Sequence, residues 1–280
     1  MAKPLIRRVA RRLVRALQGG SHIPAAAAAD YIKFEGDYSC WQEAVDCSTG
    51  YAAEDIAAKV LQTTLQVLNG RFAFERDSVG FVLPEYNWPL LSCLLGAAAV
   101  HDGHLRVLDF GGALGSVFLQ HRQWFGHLPR VDWRVVEQCG YVRLGCEHIM
   151  PSMAAAGLRF FSTAEAALAD GTPNVLLLSG VLQYLPDPWT ALAGLLEFGW
   201  DRIILDRTAV LPHSSRCRLT VQTVPASIYS ASYPAWFLSQ SRLIQCLAER
   251  WQLMATWENS EHHAPPGEVA SYKGFCFLPG

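Results

Sequence analysis

Residues 105–116, LRVLDFGGALGS, constrain this chain more than any other stretch. An apolar strand-like run ends in an acid, Asp109, and passes through Gly111, Gly112 and Gly115 into a helical run starting near Ser116. Glycines suit a turn that needs unusual dihedrals and lets a ligand approach the backbone. In open α/β sheets, ligands bind beyond the carboxyl ends of the strands, where the strand order reverses. The rest of 104–280 agrees with such a sheet. Short apolar strands read at 133–137, 158–161, 174–179, 202–206, 253–257 and 272–277. Helix signals lie between them. Ser162-Thr163-Ala164-Glu165 forms a capping box. Asp187-Pro188 opens a helix that Gly199 closes, and Ser239 starts another running to about Arg250. The pattern predicts an α/β fold with a doubly wound, mostly parallel sheet.

Ahead of that domain the text changes. Residues 31–103 read as a mainly helical extension, with helical spacing over 54–68, a left-handed stop at Asn69-Gly70 and an all-apolar helix over 88–100. Residues 1–30 hold a basic amphipathic helix and a linker. Leu5, Ile6, Val9, Leu13 and Leu17 fall on one side of that helix, and Lys3, Arg7, Arg8, Arg11, Arg12 and Arg15 on the other. The chain thus divides at 1–30, 31–103 and 104–280. With 51% hydrophobic residues it can bury a large core, and a net charge of -2 argues against a nucleic-acid partner. Eight cysteines without a C-x-x-C pair suggest neither a metal site nor a disulfide scaffold, but thiols in a reducing cytoplasm. No apolar run reaches the ~20 residues of a membrane span, and arginines interrupt Leu5–Leu17, so no signal peptide is expected.

The glycine turn discriminates between ligands. A dinucleotide fingerprint, G-x-G-x-x-G, fails from Gly111 at Ala113 and Ser116. No Gly-Lys-Ser/Thr is present for a Walker A loop. The string resembles D-x-G-x-G-x-G, motif I of class I S-adenosylmethionine methyltransferases, with Ala113 at the middle glycine. Glu137 ends the second strand, where either a ribose-binding carboxylate or a solvent-facing strand-end acid would sit. The stretch 179-SGVLQYLPDP-188 resembles the segment after the fourth strand of many methyltransferases.

A wider resemblance rests on Phe34-Glu35-Gly36-Asp37-Tyr38, Glu75-Arg76-Asp77-Ser78, Trp88-Pro89-Leu90, Asp206-Arg207-Thr208, Leu219-Thr220-Val221-Gln222, Ser232-Tyr233-Pro234 and Tyr272-Lys273-Gly274-Phe275. These are similar to a methyltransferase family associated with bacterial surface-polysaccharide and lipopolysaccharide loci, over roughly Phe34 to Phe277. The resemblance implies a Rossmann-like fold and S-adenosyl-L-methionine as cofactor. The expected cofactor residues are Asp109, Gly111, Gly112, Gly115, Glu137, Ser162, Ser179 and Gln183.

A base is needed only for a weakly nucleophilic acceptor. Asp206, ending the fifth strand, and His213, in the following loop, are the catalytic candidates, although Arg207 could hold Asp206 in an ion pair. Glu75-Arg76-Asp77 is either a charged turn or an element reaching across the cofactor pocket. Residues 207–237 form a long connection, a common home of binding elements. Its Tyr229, Tyr233 and Trp236 would either hold a carbohydrate or small polar acceptor or pack onto the core. Two other functions stay open: a catalytically silent scaffold in a polysaccharide assembly, and an NAD-dependent oxidoreductase.

The arginine helix suits the anionic inner face of the cytoplasmic membrane or, alternatively, a protein surface. On the membrane reading, deleting residues 1–20 abolishes co-sedimentation with anionic liposomes while cofactor affinity is kept. Equal sedimentation of truncated and full-length protein would refute it.

Overall fold

The computed structural model describes residues 31–50 and 53–280; the arginine helix and linker lie outside them. In chain order the elements are β1 (Lys33–Glu35), α1 (Trp41–Asp46), α2 (Ala53–Leu68), β2 (Phe74–Arg76), β3 (Val79–Phe81), α3 (Trp88–Ala99), β4 (His104–Phe110), α4 (Ser116–Phe125), β5 (Arg130–Val136) and α5 (Cys139–Leu144). Helix α5 continues through a π-helical turn to Met153. Then follow β6 (Leu158–Phe161), α6 (Ala164–Leu168), β7 (Val175–Ser179), α7 (Pro188–Leu196), β8 (Arg202–Leu211), β9 (Arg218–Val224), β10 (Ala231–Ser239), α8 (Gln240–Leu247), β11 (Trp251–Glu258) and β12 (Ser271–Pro279).

Strands β6-β5-β4-β7-β8 run parallel in that order, so the order reverses between β4 and β7. This is the 3-2-1-4-5 order of a Rossmann-like sheet, with its ligand crevice at the reversal. Strand β12 pairs antiparallel with β8, and β11 with β12. Side chains two apart on a strand share a face, and both faces are apolar here. Val107, Val135, Leu177 and Ile204 enter one core cluster with α2, α3 and α4. Their neighbours Leu108, Val136, Leu178 and Leu205 enter another with α6, α7 and α8. Two covered faces make the sheet doubly wound.

Three local expectations shift. Segment 31–103 carries three short strands besides its helices, and β1 joins the large sheet through β9. The cap of α6 is Thr163, whose hydroxyl accepts from Ala166 N–H at 3.1 Å, rather than Ser162. Helix α7 does start behind the Asp187 cap but ends at Leu196, before Gly199.

The largest difference is at 207–237, which is not a loop. Beyond Asp206, where pairing with β7 stops, β8 continues to Leu211 and pairs with β10. Strands β9 and β10 form a hairpin. Thr and Val dominate β9, residues whose branched side chains fit a pleated surface. Asp206 and Arg207 together oppose Gly274 in a bulge, since Thr208 pairs with Lys273 and Leu205 with Phe275. A bulge re-aims side chains, and consecutive residues Asp206 and Arg207 both face the same cavity. Among the described residues, no helix is long and apolar enough to cross a membrane.

Candidate functional site

A cavity of about 1550 Å³ opens at the carboxyl ends of β4, β5, β7 and β8. The glycine turn forms its floor. Gly111 (φ +73°), Ala113 (φ +50°) and Gly115 (φ +85°) all take left-handed backbone, so the turn that glycine favours is built although alanine holds the middle position. That conformation costs a residue with a Cβ roughly 1–2 kcal/mol. Among the described residues five without glycine's freedom have positive φ, and four of them, Asp77, Ser78, Ala113 and Arg207, line the cavity. Backbone strain collected in one place is a mark of functional sites.

Asp109 is wholly buried beneath the turn. Its Oδ2 accepts from Trp133 Nε1 at 2.9 Å, while Oδ1 has no hydrogen-bond partner among the described residues. Burial, opposed by the Trp133 bond and aided by the charge of Glu137, pushes its carboxyl up to about 7. Glu137 stands at the end of β5, held by its own N–H to Phe161 O at 3.0 Å. Its carboxylate accepts from Gln138 N–H at 2.6 Å and from the N–H of Ala113. Burial raises Glu137 as well, with those two bonds acting the other way.

Asp206 is buried at the opposite wall, where four donors converge on it. Its Oδ1 accepts from Asn87 Nδ2 (3.0 Å), Trp257 Nε1 (3.0 Å) and Asn259 Nδ2 (3.2 Å), and its Oδ2 from Ser179 Oγ (3.1 Å). Arg207 makes no ion pair with it. Instead the Arg207 guanidinium binds Asp77 from the β2–β3 turn and Glu261 from the β11–β12 loop. Burial works against that charge, but the two carboxylates together raise Arg207 further above its ordinary value. Asn87 also caps α3, accepting from Leu90 N–H at 3.1 Å, and its own N–H donates to His121 Nε2 at 3.2 Å. With Val117 O only 2.9 Å from Nδ1, His121 is a neutral ring, and burial depresses it to about 4.

Glu75 lies on the cavity wall beside the glycine turn, bonded to Ser116 Oγ and the Ser78 N–H. Burial pushes it up to about 7. The β9–β10 side contributes a chain of polar contacts. Tyr184 Oη donates to Gln222 Oε1 (2.9 Å), Gln222 Nε2 donates to Tyr233 Oη (3.3 Å), and Tyr229 Oη lies 3.1 Å from Tyr233 Oη.

Of the residues singled out in the sequence, Asp109, Gly111, Gly112, Glu137, Ser162, Ser179, Gln183, Asp206, Tyr229 and Tyr233 line this cavity. Gly115, His213 and Trp236 do not. Gly115 shapes the turn from behind, as the cap residue of α4. His213 is exposed on the surface turn after β8, too far along the extended strand to face the site. Trp236 packs against core residues away from the cavity, because Tyr233 and Trp236 are an odd number of positions apart on one strand. Asn87, Trp257, Asn259 and Glu261 come from distant segments, and no sequence pattern linked them to Asp206 or Arg207.

No protein-family model matches the chain, and no curated protein matches it. Solved structures that resemble it include the N-terminal domain of EvdMO1 with SAH bound, at 15% identity over 78% of this chain and 97% of that one, TM-score 0.45. The glycopeptide N-methyltransferase MtfA complexed with sinefungin aligns at 10% identity over 62% and 85%, TM-score 0.43. The CcbJ methyltransferase from Streptomyces caelestis aligns at 12% identity over 68% and 90%, TM-score 0.42.

The buried state of Asp109 sets a pH dependence. Folded, it keeps its proton up to about pH 7, whereas an unfolded aspartate loses it near ~4. Between these values the folded chain binds more protons, so this group's contribution to stability falls as pH rises. Asp109→Asn, which can still accept from Trp133, removes that slope. Urea unfolding should show the variant gaining on the wild type from about pH 4 to about pH 7; parallel curves would contradict the burial.

Proposed function

We propose that the chain is an S-adenosylmethionine-dependent methyltransferase acting on a carbohydrate or similar small polar acceptor. The single observation that carries this reading is the Glu137 carboxylate beside the left-handed 111–113 turn, at the point where strand order reverses. A carboxylate ending the second strand is the group that takes ribose hydroxyls in sheets of this kind. The polar inventory fits the same ligand. Asp109 Oδ1 and the Glu137 carboxylate can accept from hydroxyl or ammonium donors, and Asp109 Oδ1 has no protein partner.

When bound, S-adenosylmethionine supplies an electrophilic methyl group on a sulfonium. The chain's own residues then have three tasks. Glu137 and the glycine turn fix the donor's position. The carboxyl groups of Glu75, Asp109 and Glu137 surround that end, and a cationic ligand there would favour their ionised forms. The Tyr184–Gln222–Tyr233–Tyr229 chain offers hydroxyls and ring faces to a polar acceptor. Orientation alone can supply ~7–11 kcal/mol of such a reaction's barrier. Asp206, its Oδ1 accepting three donors, serves as a positioning residue that holds the two sides of the cavity together. His213 takes no part in this proposal.

The likeness of the sequence to a family tied to surface-polysaccharide loci supports a carbohydrate acceptor, and the arginine-rich start supports work near an anionic membrane face. Calorimetry with S-adenosylmethionine, S-adenosylhomocysteine and NAD tests the proposal. The first two should bind, and NAD should not. A charged hydrogen-bond partner is worth ~1.5–3 kcal/mol, so Glu137→Ala should weaken binding about ten- to a hundredfold. Absence of heat from millimolar S-adenosylmethionine or S-adenosylhomocysteine contradicts the reading, and heat from NAD alone replaces it with the oxidoreductase.

A further inference from the structure

Charge is unevenly distributed around the cavity. Among the described residues, nine carboxyl groups line it, against two arginines and no lysine. Neither arginine is free to receive an anion. Arg76 pairs with Glu85 at 3.1 Å, and Arg207 is held between Asp77 and Glu261. A phosphate or nucleotide on the acceptor would therefore find both lining arginines already paired with carboxylates. Of the two cavity histidines with shifted values, His121 and His263, burial keeps both toward the neutral form.

Unsatisfied hydrogen-bonding capacity lies on the same side. Gln183 is 3% exposed and lines the cavity; its Nε2 donates to Arg207 O at 3.1 Å, and its Oε1 has no partner among the described residues. Glu261 binds Arg207 through Oε1, and its buried Oε2 has no partner either. Both orphan atoms belong to groups bonded to Arg207, and both are acceptors, one an amide oxygen and the other a carboxylate oxygen. A buried acceptor left unpaired costs free energy, so the molecule suited to this wall brings donors. Two acceptor atoms, one of them on a carboxylate, match an ammonium group with its three N–H donors better than a hydroxyl with one.

From two unpaired acceptors on Gln183 and Glu261, residues that both bond Arg207 and line a cavity whose arginines are already paired, we infer that the acceptor is an amine-bearing, phosphate-free polyol of the amino-sugar class. Its ammonium is held by Glu261 and Gln183, and its hydroxyls by the Gln222–Tyr233–Tyr229 chain. The inference deepens the methyltransferase reading and rests on it. It names the acceptor's recognition group and leaves open which atom is methylated.

Saturation-transfer NMR titrations on the full chain, saturated with S-adenosylhomocysteine, test it with glucosamine, glucose and glucose 6-phosphate as probes. Glucosamine should bind at least about tenfold more tightly than glucose, the worth of one charged hydrogen bond. Glucose 6-phosphate should give no saturation transfer. Glu261→Gln should abolish the preference for the amine while S-adenosylhomocysteine affinity is unchanged. Asp77→Asn, at a largely exposed side chain, should reduce the preference and serves if the first variant fails to fold. Equal binding of glucosamine and glucose, tighter binding of the phosphate, or no binding of any probe to the S-adenosylhomocysteine complex overturns the inference and leaves the cofactor reading standing. Failure of S-adenosylhomocysteine itself to bind overturns both.

Discussion

A carboxylate buried without an ion-pair partner is costly unless donors surround it, and the walls of this cavity are organised around meeting that cost for Asp206. The four donors come from the end of β7, the cap of α3, the end of β11 and the residue just beyond it. The same Asn87 side chain fixes the start of α3 and, through its backbone, orients neutral His121 on α4. Trp257 reaches Asp206 across Gly274, where any Cβ would lie 1.8 Å from the indole. Burial raises Asp206 above its ordinary value, with Arg207 and the donors opposing it. Losing one donor would loosen several walls at once.

The bulge at Asp206 and Arg207 gives this arrangement its second consequence. One extra residue in β8 aims two successive side chains at one cavity. The first ties the sheet to the helices, and the second ties the β2–β3 turn to the β11–β12 loop. The strained conformations of Asp77, Ser78 and Arg207 gather where these ties cross. Past the bulge β8 no longer pairs with β7 and instead meets the β9–β10 hairpin. A Rossmann-like sheet and an antiparallel extension thus share one strand, and the cavity lies between the glycine turn of the first and the tyrosines of the second.

Much of this was legible from sequence because the signals are local. The short apolar runs gave the parallel strands, Asp187-Pro188 gave the start of α7, and Asp109 to Gly115 gave the turn with its left-handed positions. What the sequence hid depends on distance along the chain. Residues 207–237 looked like a loop because Arg207 and the two prolines, Pro225 and Pro234, interrupt what pairing later makes into strands. Trp236 resembled Tyr233 as an aromatic near a proline, and only register separates the face of one from the face of the other. His213 looked near the site because β8 was expected to stop at Asp206. Asn87, Trp257 and Asn259 carry no motif, and only the tertiary fold brings them to Asp206.

On the proposed function, the turn at 111–113 and Glu137 hold a nucleoside at the reversal of strand order. A crystal structure of the chain soaked with S-adenosylhomocysteine tests it most directly. The ribose hydroxyls should lie within hydrogen-bonding distance of the Glu137 carboxylate, over the backbone of Gly111 to Ala113. Well-defined ligand density elsewhere, or a ribose with no contact to Glu137, would contradict it.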